Sequence, residues 1–235
     1  MPDVCHVLRL GMMDYPQAWE LQNRLAEQIA SGSHPQTLLL LEHAHIFTFG
    51  RRGRAENLLW SQEELARRGV QTLWVDRGGD VTYHGPGQLI GYPLLQLAPV
   101  TAGRKPGRLP QADYIQYLRR LEKLLIHALS ELGVSAQPRE GMTGVWVQAG
   151  AEQLKIASIG VKVDARGVTR HGFSLNVAPD MSYWQGIIAC GLVDERQTCL
   201  ADLLARPIPM EQVIAELLAA FGTEFGLQMV EIQPA

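Results

Sequence analysis

Residues 77–93 read RGGDVTYHGPGQLIGYP: five glycines, two prolines and one histidine in seventeen positions. The stretch is too glycine-rich for an ordinary strand, and its polar choices are too ordered for a linker. Glycine lets main-chain N–H groups approach a ligand closely. An arginine, a tyrosine and a histidine within the same block give that ligand polar partners. The glycines match neither a P-loop, which needs G-K-[ST], nor a G-x-G-x-x-G turn opening a helix. GRRGR (50–54) reads as a basic glycine loop and is not by itself a phosphate site.

Outward from this block, TLWVD (72–76) reads as the strand that feeds it, and TLLLLEHAHIFTFG (37–50) as one buried strand. Residues 14–31 predict a helix, with Asp14 as N-cap, Pro16 in the first turn and Ala18, Leu21, Leu25 and Ile29 as its apolar stripe. Ser61 and Glu64 have capping-box spacing ahead of a short helix to Arg68. APVTAGRKPGRLP (98–110) predicts a basic loop carrying Arg104, Lys105 and Arg108. The strongest helical pattern covers 111–132, with Ile115, Leu118, Leu121, Leu125, Leu129 and Leu132 at spacings of three and four and Gly133 ending it. Strands are predicted at 144–148, 153–164 and 167–177, the last two joined by a turn at 165–167, and helices at 198–205 and 210–221. Without a regular βαβ rhythm, this predicts an α/β (α+β) fold with a mixed, largely antiparallel sheet in a single domain, 1–235.

A chain of 235 residues, 46% hydrophobic and 19% charged, can bury a sizeable core. Its formal charge of −3 gives no global basic field for nucleic acid. No apolar run is long enough to span a bilayer, and MPDVCHVLRL lacks the pattern of a signal peptide. Three cysteines without a C-x-x-C pair predict reduced thiols and a cytoplasmic setting.

Cys5 and Cys199 lie in apolar stretches and read as packing residues. Cys190 stands before a glycine, between an apolar run and polar residues, where a substrate could approach the thiol. A free thiol is only a few per cent ionised at neutral pH, so a nucleophilic cysteine needs a cation or base beside it. Alternation in LKIAS puts Lys155 on one strand face with Ala157, and Leu154, Ile156 and Ser158 on the other. His84 and His171, each beside a glycine, fit either a turn hydrogen bond or a pocket. His43 and His45 have H-x-H spacing, but no carboxylate pattern completes a metal site.

RGGDVTYHGPGQLIGYPLLQL (77–97), KIASIG (155–160), RHGFSLNV (170–177) and ACGL (189–192) together resemble the octanoyltransferases of lipoate biosynthesis, relatives of the biotin and lipoate protein ligases. GRRGRAENLL (50–59) suits the same family; Ala189 departs from it, standing where proline is more usual. The resemblance implies a ligase-like catalytic domain whose sheet helps form an acyl tunnel. It implies that Cys190 and Lys155 are catalytic, and that Arg77, Gly78, Gly79, Asp80, Val81, Thr82, Tyr83, His84, Ser158, Ile159, Gly160, Gly172, Phe173 and Ser174 contact the acyl substrate. The donor it implies is octanoyl on the phosphopantetheine arm of an acyl carrier protein. The acceptors are lipoyl domains of 2-oxoacid dehydrogenase complexes and the glycine cleavage H protein, with no ATP, metal, nucleic acid or membrane involved. An ATP-dependent lipoate or biotin ligase, a transferase moving octanoyl between lipoyl domains, and a non-catalytic acyl-binding relative are the alternatives.

Overall fold

The computed structural model describes residues 3–97, 111–189 and 195–233, with the side chains of 111–113 excluded. The expected loop at 98–110 and Cys190 lie outside the described residues. The chain begins with β1 (Asp3–Met12), α1 (Tyr15–Ala30), β2 (Gln36–Glu42) and β3 (Ile46–Phe49). Then come α2 (Gln62–Arg67), β4 (Gln71–Trp74), β5 (Val81–His84) and β6 (Gln88–Leu94). The long α3 (Gln111–Glu131) leads to β7 (Ala136–Gln137), β8 (Val145–Ala149), β9 (Glu152–Val163) and β10 (Thr169–Asn176). The C-terminal part holds β11 (Arg196–Gln197), α4 (Leu200–Leu204), α5 (Met210–Phe225) and β12 (Leu227–Ile232).

Among the described residues, nine strands form one sheet in the order β12-β1-β2-β6-β10-β9-β8-β7, with β11 also pairing β9. β12, β1 and β2 run parallel, while the ladder from β2 through β6, β10, β9, β8 and β7 is antiparallel. The sheet is therefore mixed and largely antiparallel, as the sequence predicts. It is buried on both faces, which explains why β2 is a continuous apolar run and not an alternating one. Leu38 and Leu40 join the core beneath α3 and α5, while Leu39 and Leu41 pack on the opposite face with Ala18, Leu25 and Ile29 of α1.

The expected strand over 37–50 is instead two strands in two sheets. β3 belongs to a small sheet, β4-β3-β5, packed over the large one, and the chain crosses between them at 43–45. His43 holds that crossing: its Nδ1 lies 2.7 Å from the Met13 carbonyl and its Nε2 lies 2.8 Å from the Tyr92 hydroxyl. Its H-x-H partner His45 turns elsewhere, to the Tyr83 hydroxyl at 2.9 Å and a stack on Tyr183. The glycine-rich block also contains strands after all, β5 and β6, joined through Gly85-Pro86-Gly87. Gly85 is required at that corner, because a Cβ there would lie 2.0 Å from the Tyr83 hydroxyl oxygen.

Asp14 stands at the N-cap position of α1 but its side chain makes no capping hydrogen bond, while the other two cap signals behave as read. The Ser61 side chain accepts a hydrogen bond from the Glu64 N–H at 3.2 Å, and Gly133 ends α3 at φ +84°. Ile115 departs from the expected stripe: it is exposed, and the buried face of α3 runs through Tyr117, Leu121, Leu124 and Ala128. No helix among the described residues is long and apolar enough to cross a membrane.

Candidate active site

A cavity of about 500 Å³, including its open mouth, lies between the large sheet and the segment 77–84. Its floor comes from β9 and β10, whose register pairs Ser158 with Ser174 and Gly160 with Gly172. Small residues paired across two strands leave width above the sheet. Ile159 and Phe173, the intervening pair, border the cavity while packing with the core under the floor.

The roof is Arg77, Gly78, Gly79 and Asp80. The Gly78 N–H donates to the Val161 carbonyl at 3.0 Å, so it joins roof to floor and is committed there. Arg77 is buried, and its guanidinium donates to the Thr48 side chain and carbonyl and to the Gly78 carbonyl. Its aliphatic stem lies over Gly160, where a Cβ would come 3.1 Å from Arg77 Cδ. Asp80 accepts from the Arg54 and Val81 backbone N–H groups, pinning the basic loop 50–54 to the rim.

β5 forms the side wall, and its alternation separates four expected contacts. Thr82 and His84 line the cavity, and Val81 borders it. Tyr83 points the other way, into a cluster with Phe47, Tyr183 and Trp184, and does not line the cavity. The Thr82 hydroxyl oxygen is buried and has no hydrogen-bond partner among the described residues.

His84 is fixed as a neutral acceptor by a chain of buried amides. The Thr198 carbonyl can only accept, so Asn176 donates to it through Nδ2 at 2.9 Å, and Asn176 Oδ1 accepts from Gln88 Nε2 at 2.8 Å. Gln88 Oε1 then accepts from His84 Nδ1–H at 2.8 Å, which leaves the lone pair on Nε2. Burial first, and the neighbouring His43 next, push its pKa well below the ordinary histidine value.

Lys155 stands at one end, beside Thr143. The expected alternation fails here: Val145 pairs with Ala157 but Trp146 pairs with Lys155, so β9 carries one extra residue, a bulge at Ile156. The bulge places Lys155 on the face of Ser158 and Gly160, opposite Ile156 and Ala157, which both enter the core. Lys155 is 2% exposed, lies 3.0 Å from the Glu195 carboxylate and sits over the Trp146 ring. Glu195, whose side chain is 1% exposed, follows Cys190 by five positions, and β11 then pairs parallel with Leu154–Lys155. Residues 195–197 are thereby anchored to the Lys155 strand. The other two cysteines are buried and their thiols pushed up, Cys5 to about 12, mainly by burial, which makes them poor nucleophiles.

Four lining residues fall outside the expected contact set: Tyr15, Tyr92, Thr143 and His171. Only His171 carried a signal, its place beside a glycine. Tyr15 reads in sequence as an ordinary first-turn residue of α1, and Tyr92 lies in the glycine-rich block without a mark of its own.

Residues 14–222 match the model of the lipoyl protein ligase A/B catalytic domain. The chain belongs to that family. It is 44% identical over 224 residues to an octanoyltransferase of Chloroflexus aggregans, covering 95% of this chain and 96% of that protein. It is also 44% identical over 212 residues to an octanoyltransferase of Syntrophotalea carbinolica, covering 90% of each. Among solved structures, a bipartite lipoate protein ligase of Thermoplasma acidophilum superposes with a TM-score of 0.72 over 99% of this chain and 88% of that one, at 16% identity. A lipoate-protein ligase A bound with ATP gives 0.69 over 100% and 90%, at 15% identity. These structural matches establish the ligase-like catalytic fold of this family member.

Proposed function

We propose that this chain transfers an octanoyl group from an acyl carrier protein to a lysine of a lipoyl domain, through a thioester on Cys190. Acyl transfer follows from near-full-length likeness to octanoyltransferases. The observation that carries the finer reading is Lys155: an ammonium buried at one end of a largely apolar cavity, on the strand to which residues 195–197, shortly after Cys190 in sequence, are tied.

In the proposed reaction the Cys190 thiolate attacks the thioester carbonyl. A bond forms between its sulfur and the carbonyl carbon, the bond to the pantetheine sulfur breaks, and the leaving thiolate takes up a proton. One thioester replaces another at nearly equal free energy. The acceptor lysine nitrogen then attacks, an amide bond forms, and the bond to Cys190 breaks. Amide formation from a thioester runs downhill, so the cycle requires no ATP. The charge of Lys155 favours the thiolate, and its proton can pass to the leaving sulfur. Burying the octanoyl chain along the cavity contributes about 5 kcal/mol at roughly 0.8 kcal/mol per methylene. Lipoyl domains as acceptors are supported by the structural likeness to a ligase described with its E2 lipoyl domain.

Intact-protein mass spectrometry after mixing with octanoyl-carrier protein and no ATP tests this reading. The expected result is one octanoyl adduct that hydroxylamine removes and that Cys190→Ala abolishes. Turnover of free octanoate only with ATP would instead establish a ligase, and binding without any adduct a passive acyl-binding protein.

The carrier's acidic surface is expected to meet Arg51, Arg52 and Arg54, with Arg104, Lys105 and Arg108 as further candidates. The first three are exposed, and the Arg51 and Arg52 backbone N–H groups donate to the Arg77 and Gly79 carbonyls at 2.9 and 3.0 Å, placing them at the cavity rim. Neutralising Arg51 and Arg52 should raise KM for the carrier and flatten its salt dependence. Unchanged kinetics would remove this surface from the docking reading.

A further inference from the structure

The end of the cavity remote from Lys155 is a built wall. Register fixes the two ends: Lys155 pairs with Trp146, while Gly160, five positions along β9, pairs with Gly172, one residue from the Phe173–Gly91 pair and hence level with Tyr92. At about 3.3 Å per strand residue, roughly 15 Å separates these levels. Tyr15 closes the far end, 3% exposed and stacked on His84 and His171.

The hydroxyls of this wall are tied to its histidines. Asp76, beside Lys162 and Arg170, accepts from His171 Nε2–H at 2.7 Å, so His171 Nδ1 is left to accept the Tyr15 O–H at 3.2 Å. At Tyr92 the same logic holds. His43 Nδ1–H donates to the Met13 carbonyl, so His43 Nε2 accepts the Tyr92 O–H. Both tyrosine hydroxyls are thereby engaged by neighbouring imidazoles.

The wall is also held under strain. Strand alternation would place His171 with Phe173 and Leu175 on the core face. A left-handed backbone, φ +55°, turns it to the cavity face, and the Gln22 side chain clamps its N–H at 2.7 Å. A non-glycine residue keeps such a conformation only where its surroundings over-determine it. Behind Tyr15 lies a small apolar cluster, Ile46, Val75, Trp19 and Leu73. Space opened by removing the ring would be bounded by this cluster on one side and by the faces of the His43, His84 and His171 rings on the other.

We propose that Tyr15 is the length stop for the acyl chain: its ring, packed among His43, His84 and His171, ends the cavity for an unbranched alkyl tail and rejects longer tails. This rests on the acyl-transfer reading above and adds the residue that measures the chain. The test follows acyl-enzyme formation by intact mass, using octanoyl-, decanoyl- and dodecanoyl-pantetheine with wild type, Tyr15→Phe, Tyr15→Leu and Tyr15→Ala. Wild type should prefer octanoyl. Tyr15→Ala should move preference toward decanoyl, by up to about fourfold for each newly buried methylene, or about 15-fold for two. Tyr15→Leu, which keeps apolar packing if alanine fails to fold, should move it the same way to a smaller extent. Tyr15→Phe should keep the wild-type order, because the ring is the stop. An unchanged octanoyl-to-dodecanoyl ratio in the leucine and alanine variants overturns the proposal, as does a phenylalanine variant that shifts as far as alanine. Wild type that accepts none of the three thioesters overturns the acyl-transfer reading itself, and the stop with it.

Discussion

Lys155 and Glu195 form an ion pair that solvent scarcely reaches, with side chains 3% and 1% exposed. Removing one partner of such a pair costs more than the pair contributes, because a charge is left in a low-dielectric site. Glu195→Ala is accordingly expected to lower unfolding free energy by about 3–5 kcal/mol. Glu195→Gln, which keeps an oxygen for the Lys155 ammonium, should cost clearly less. Urea unfolding of both variants checks this, and equal losses would mean that charge plays no part. Sequence reading found Lys155 through family likeness and passed over Glu195, since one acidic residue among polar neighbours has no local mark of burial. It passed over Tyr15 and Tyr92 for a related reason. Their roles depend on His171 and His43, which are 156 and 49 positions away in the chain. The block 77–84 was legible because glycines and polar groups sit together there, but Tyr83 was misplaced by treating contiguous residues on a strand as if they shared a face.

At the scale of elements, the bulge in β9 decides what the cavity contains. A strict two-residue repeat would place Lys155 opposite Ser158, and the extra residue at Ile156 puts them together. Nothing in KIAS announces the bulge, because Ile156 and Ala157 are both apolar and suit either register. Its partner side does carry a mark. Gly144, just before β8, has φ +143°, and a Cβ there would lie 2.8 Å from both the Ala157 carbonyl and Lys155 Cε. Gly144→Ala should therefore destabilise by about 1–3 kcal/mol, through backbone strain and overpacking. It should also displace Lys155, lowering acyl-enzyme formation beyond what the stability loss explains. Gly150→Ala is the control: its φ is +61° but nothing lies within 4 Å, so it carries the backbone cost alone. If the two variants lose the same stability and the same rate, the close approach at the bulge has no consequence. Helices were more legible than strands, since α1, α2, α3 and α5 each carry a full apolar stripe or a cap. The edge strand β12 lies in a short, mixed segment that reads as a tail until β1 is there to pair with it.

Across the whole molecule, three buried histidines join the large sheet, the small sheet and α1. His43 sits where the chain crosses between sheets, His84 ends β5, and His171 ties β10 to Tyr15 and Asp76. Burial lowers the pKa of each: His43 to about 4, His84 well below the ordinary value, and His171 below it despite the opposing pull of Asp76. A histidine with a depressed native pKa binds fewer protons folded than unfolded between the two values, so stability rises with pH across that window. The contribution is complete above about pH 6.5, the unfolded histidine value, and is lost as pH falls toward the native one. For His43 alone the window runs down to about 4. At about 1.36 kcal/mol per pKa unit, that amounts to roughly 3 kcal/mol. Asp76 works in the same direction at more acid pH: burial opposes its ionisation, but His171, Lys162 and Arg170 hold its carboxyl well below the usual range. Urea unfolding at pH 7.5 and pH 4.5 should show a loss of stability, about 2–3 kcal/mol of it from His43, as the unfolded chain takes up protons that the folded chain excludes. His43→Gln should make that slope shallower by about the His43 share. Stability that stays level from pH 7.5 to 4.5 would mean these imidazoles are already hydrated or protonated in the native state, and the dry far wall of the cavity would fall with them.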